Sequence, residues 1–86
     1  MAKGNPYLYA AIMGVVENQL RNLDPPETKE TFDRLLSQGI PEREARRLIG
    51  YVVLAEIFEV LKQNKPFNRE RFVAALNRLP ELPQGK

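Results

Sequence analysis

From Leu48 to Leu61 the chain is apolar at nearly every position, and only Glu56 and Glu59 bring charge into the stretch. The run sits inside a longer segment that reads as one helix, from about Pro41 to Gln63. Projected at about 100° per residue, Ala45, Leu48, Ile49, Val52 and Val53 fall on one face, while Tyr51, Leu54, Phe58 and Leu61 lie toward the opposite side. A helix with apolar residues on both sides has no obvious water-facing surface. Either other helices surround it, or a second copy of the chain covers part of it. Gly50, without a side chain, permits close approach by a neighbouring helix. Leaving a carboxylate buried and unpaired costs roughly several kcal/mol, so Glu56 or Glu59 should reach water or find an Arg or Lys.

Three further segments repeat apolar residues at helical spacing, and Pro, Gly and Asn separate them. Leu8, Ala11, Ile12, Val15, Val16 and Leu20 predict a first helix over about Pro6 to Asn22. Asn5 supplies a capping side chain, and Pro6 fills the first helical position, where a missing amide proton costs nothing. Asp24-Pro25-Pro26-Glu27 predicts the start of a second helix, with Asp24 as cap and Glu27 reaching back to complete a capping box. That helix carries Phe32, Leu35 and Leu36 inward. It ends near Gln38, because Gly39 can adopt the left-handed conformation that closes a helix. Asn68 caps a short fourth helix to about Asn77, with Phe72, Val73 and Leu76 as its core face. No segment carries a strand signal. Short links favour a compact, irregular, all-α four-helix domain with the third helix central.

Eighty-six residues make one domain, here 1–86 with a core over about 5–79 and a loose tail over 80–86, and leave little margin of stability. Small chains often add disulfides, a metal or self-association. With no Cys and no His, neither disulfides nor thiolate or imidazole ligands are open to this one, and no cofactor is expected. Self-association remains, and a homodimer or a protein partner is the expectation. Thirteen basic and eleven acidic side chains give a net charge of +2, too balanced to imply nucleic acid. No secretory signal is visible and no apolar run is long enough to span a bilayer, so a cytoplasmic protein is expected.

Candidate polar features each have an ordinary reading beside the functional one. Glu17-Asn18-Gln19 could orient a ligand, though a solvated flank of the first helix is the commoner role. Arg43, Arg46 and Arg47 crowd the first turns of the third helix, where the helix dipole mildly disfavours cations. Glu42 and Glu44 offset them, and Glu17 or Glu56 can pair with one of the three. With Arg69, Arg71 and Arg78 they make at most a weak phosphate surface, with no stacking motif beside it. Tyr7, Tyr9 and Tyr51 suit either an interface or core packing. No nucleophile–base pair, glycine-rich phosphate loop or paired carboxylates appear, so catalysis has little support and no catalytic residue is assigned. Glu56 is the one acid expected to have a raised pKa, through desolvation.

Asn5-Pro6-Tyr7-Leu8, Glu17-x-Gln19, Arg34-Leu35-Leu36 and Arg43-Glu44-Ala45 together resemble an uncharacterised bacterial family, domain of unknown function eighteen forty-one, over residues 5 to 80. The resemblance implies paired His on two helix faces, an arrangement suited to a transition metal between helices. This chain departs from that pattern: the corresponding positions are Tyr9, Met13, Arg43 and Arg47, so no metal site carries over. What the resemblance leaves is geometry. Tyr9, Met13 and Glu17 form one stripe, Arg43 and Arg47 another, and an ion pair from Glu17 to Arg43 or Arg47 is expected to tie the helices in place of a metal.

These observations point first to a non-enzymatic helical module that self-associates or docks on another protein, through a candidate interface of Tyr51, Leu54, Phe58 and Leu61. The alternative is a small-ligand or metal-dependent activity related to His-bearing relatives, with a pocket near Tyr9, Met13 and Arg47. Weak nucleic-acid binding by the Arg-rich helix start is third.

Overall fold

The computed structural model describes residues 5–83. It contains four helices, α1 (Pro6–Asn22), α2 (Pro26–Ser37), α3 (Glu42–Gln63) and α4 (Arg69–Arg78), with no strand among the described residues. The helix α3 packs against each of the other three, as its composition demands. Further contacts join α1 to α2 and α2 to α4, whereas α1 and α4 do not touch among the described residues. The chain is therefore an all-α four-helix domain built around α3.

Local chemistry accounts for most of the boundaries. The Asn5 side-chain oxygen accepts from the amides of Tyr7 at 2.9 Å and Leu8 at 3.1 Å, and Pro6 follows as the first helical residue. Gly39 closes α2 with φ +89°, while the Ile40 amide returns to the Leu35 carbonyl at 3.1 Å. Asn68 caps α4 by accepting from the Arg71 amide at 2.9 Å. The start of α2 differs from the sequence expectation: Pro25 occupies the cap position and no side chain caps the helix. Asp24 lies one residue too early to cap it. Glu27, expected to complete a capping box, instead accepts from Arg69 Nη2 at 3.0 Å. It thus joins the starts of α2 and α4, so a longer-range ion pair displaces the local motif.

The core draws Ile12 and Val16 from α1, Phe32 and Leu35 from α2, and Ala45, Leu48, Ile49, Val52 and Val53 from α3. Phe72, Leu76 and Leu79 close it from the α4 end. Val73, expected inside, is only half-buried. Gly50 lies buried where α3 meets α1: an added Cβ would stand 3.3 Å from Met13 Sδ and 3.4 Å from Ile12 Cγ2. Its bare backbone sets how near the two helices come. Polar groups tie the remaining contacts. Buried Thr28 donates through its hydroxyl to Gln19 Oε1 at 2.8 Å, joining α2 to α1. Arg34 spans from α2 to the carbonyls of Leu79 at 2.9 Å and Leu76 at 3.0 Å. There it meets the partial negative charge at the end of α4.

Beyond Pro80 the expected loose tail falls partly outside the described residues. Within them, the Glu81 amide donates to the Arg78 carbonyl at 2.9 Å, and Leu82 and Pro83 line a groove between α3 and α4.

Candidate interaction face and cleft

One side of α3 is buried by the rest of the chain and the other is not. Leu54 is half-buried, but Tyr51 is 45% exposed, Phe58 57% and Leu61 72%. Expected coverage around most of the helix is therefore met by the chain itself on one half alone. The reason lies in helix count and length: α1 and α4 flank α3 without meeting, and among the described residues no fourth neighbour crosses the gap. The open side carries a ridge of Tyr51, Leu54, Phe58 and Leu61, spaced by three and four residues.

Recesses flank the ridge on both sides. Between α3 and α4 runs a groove of about 380 Å³, whose wall includes Phe58, Glu59, Phe72, Arg78 and Leu82. Between α3 and α1 lies a cleft of about 280 Å³, formed by Asn5, Leu8, Tyr9, Ile12 and Met13 on one side and Arg47, Gly50, Tyr51 and Leu54 on the other. Leu8 and Tyr9, on its rim, are 43% and 55% exposed. Three of the five polar site residues anticipated from sequence, Tyr9, Met13 and Arg47, thus converge on one cleft. Glu17 and Arg43 do not line it.

The expected tie between α1 and α3 exists with a different arginine. Glu17 pairs with Arg46 Nε, and not with Arg43 or Arg47. Arg46 shares its side of α3 with Gly50, four residues on, and that side turns toward α1. Arg47 is one position further round, on the rim, where it donates to Glu44 at 2.8 Å. Arg46 also reaches Glu42 Oε1 at 3.2 Å, and its guanidinium carbon stands 4.9 Å from the Phe32 ring centroid. Glu42 first, and then Glu17, hold the Arg46 pKa above its ordinary value against the opposing effect of burial. Glu44, with Tyr51 adding, raises that of Arg47. The cations that the helix dipole disfavours are thus stabilised by carboxylates within reach. Glu42, four residues before Arg46, was the sequence signal for its engagement. Arg43 has no carboxylate partner among the described residues.

The polar trio of α1 is part solvated and part engaged. Asn18 is exposed, while Glu17, its side chain still 44% exposed, and half-buried Gln19 each bond to a neighbouring helix, at Arg46 and Thr28.

Glu56 is buried within α3, as its neighbours in sequence imply, and its partner is an arginine. Arg71 donates through Nε to Oε1 at 2.8 Å and through Nη2 to Oε2 at 2.9 Å, while the Asn68 amide donates to Oε2 at 2.9 Å. The expected upward pKa shift is reversed. Hydrogen bonding from Arg71, helped by the Asn68 amide, outweighs desolvation and holds the carboxyl below the usual range. The charge thus fastens α4 to α3 through three hydrogen bonds. Of the six arginines considered for a phosphate surface, Arg46, Arg47, Arg69 and Arg71 each face a carboxylate.

Among the described residues no group of three His, Cys, Asp or Glu side chains is placed to hold a metal ion, and no helix is long and apolar enough to cross a membrane. No family model, curated protein or solved structure matches the chain.

Proposed function

We propose that this chain is a small cytoplasmic interaction module, without catalytic activity, that self-associates or docks on another protein through the ridge of α3. The observation that carries the reading is the exposure of Tyr51, Phe58 and Leu61 side by side on a helix whose other half forms the core. Single exposed apolar residues are ordinary on a soluble protein, whereas a contiguous apolar strip with recesses on both sides marks a contact surface. Sedimentation velocity from low to high micromolar concentration tests the self-associating form. The wild type is expected to grow heavier with concentration, and Phe58→Asp, which alters an exposed position, to stay monomeric with unchanged helix content. A wild type that remains monomeric throughout removes self-association.

A second reading has the cleft in its favour. Tyr9, Met13 and Arg47, at positions where the resemblance implies His, line one recess with an apolar base and, at its rim, a guanidinium that Glu44 shares at 2.8 Å. That combination suits a small apolar anion better than a metal cation. Titration with octanoate, followed by the methyl resonances of Met13 and Leu54, is expected to shift both in a saturable way. Unmoved resonances at millimolar octanoate end this reading.

A further inference from the structure

The open face of α3 carries a protrusion and a recess at different heights along the same helix, which is what a surface needs in order to bind itself about a two-fold axis. Gly50 and Leu54 border the α1–α3 cleft. Leu61, the most exposed residue of the ridge, projects from the same side of α3, eleven positions beyond Gly50, a rise of about 16 Å. The cleft opens to the surface beside Tyr51, which is 45% exposed, and Leu61 is 72% exposed.

We infer that two copies of this chain pair through antiparallel α3 helices, with Leu61 of each copy seated in the α1–α3 cleft of the other. The inference rests on the self-association reading and adds its geometry. A two-fold axis running between the two α3 helices, level with the midpoint of Leu54 and Phe58, sets Leu54 of one copy against Phe58 of the other. It also brings Leu61 to the level of Tyr51, at the mouth of the α1–α3 cleft. Parallel pairing sets ridge against ridge and cleft against cleft at equal heights, leaving both recesses unfilled.

The area fits a second copy. At about 200 Å² for a large side chain, the exposed fractions of Leu8, Tyr9, Tyr51, Ile57, Phe58 and Leu61 amount to about 600 Å² of apolar surface. A stable dimer buries about 800 Å² per partner, of which about two thirds is apolar in homodimers. The two figures agree without recruiting any other part of the molecule. From Tyr51 to Phe58 the face also presents no charge, since Glu56 points inward to Arg71. Two copies therefore meet across it without opposing like charges.

The chain has no Cys, so disulfide trapping reads the geometry without background. Three variants of the full chain, Tyr51→Cys, Leu61→Cys and the two combined, are oxidised in a glutathione buffer and run on non-reducing gels, with sedimentation of the reduced proteins alongside. In the antiparallel pair the thiols at positions 51 and 61 of opposite copies fall within disulfide reach, while like positions stand about 15 Å apart along the helix. The expected result is a covalent dimer from the double variant, at least tenfold faster than from either single one. Reduced protein that is dimeric, with single variants linking as fast as the double, overturns the antiparallel seating and leaves self-association standing. Reduced wild type and variants that are all monomeric overturn both, and the face then belongs to a different protein.

Discussion

Phe72→Ala is expected to remove a large part of the chain's stability. Phe72 is 2% exposed at the centre of α4, and its ring lies 5.5 Å from that of Phe67. Truncating a fully buried Phe costs about 3–5 kcal/mol through lost transfer energy and the cavity left behind. A domain of this length holds about 4–13 kcal/mol in all, so one side chain accounts for a large part of the whole. The check is urea denaturation followed by far-ultraviolet circular dichroism. The variant should unfold with a free energy lower by about 3–5 kcal/mol, whereas a fall of less than about 1 kcal/mol would mean that α4 contributes little to the cooperative unit.

Glu56→Gln is expected to lower stability by about 2–3 kcal/mol at neutral pH, the scale of hydrogen bonds to a charged group lost from a buried site. The amide retains the shape but exchanges one acceptor for a donor facing the guanidinium of Arg71. The pH dependence gives the sharper check. Because the folded state holds the Glu56 carboxyl below its ordinary pKa, the contribution is fully present above the unfolded value of about 4.3. It is then lost as pH falls through the lower folded value. The gap between wild type and variant should stay constant from neutral pH down to mildly acidic solution and close below that. A gap that widens with acid would contradict the lowered pKa.

How much of this was legible in the residues depends on the range of the interaction concerned. Helix placement was, because caps and breakers act over a few residues: Asn5 with Pro6, Gly39 and Asn68 all do locally what their types dictate. The burial of Glu56 and its need for an arginine also followed, since an unbroken apolar context leaves a carboxylate few options. Asp24 failed as a cap because two prolines moved the helix start beyond it. The resemblance assigned Glu17 to Arg43 or Arg47, where the residues alone also allowed Arg46; one position around α3 is about 100°, enough to turn Arg47 to the rim while Arg46 faces α1. The raised pKa expected for Glu56 considered burial alone, whereas the sign is set by Arg71, fifteen residues away in sequence. Arg34 holding the end of α4 gave no local signal, since its partners are backbone carbonyls more than forty residues on.

Since the first and last helices do not meet among the described residues, the domain resembles a spine with two separate leaves, α2 and α3 forming the spine. A lesson about engineering follows. Changes made in one leaf reach the other only through the spine, so the N-terminal leaf can be redesigned for a new partner while the C-terminal leaf keeps its own fastening of ionic and backbone bonds.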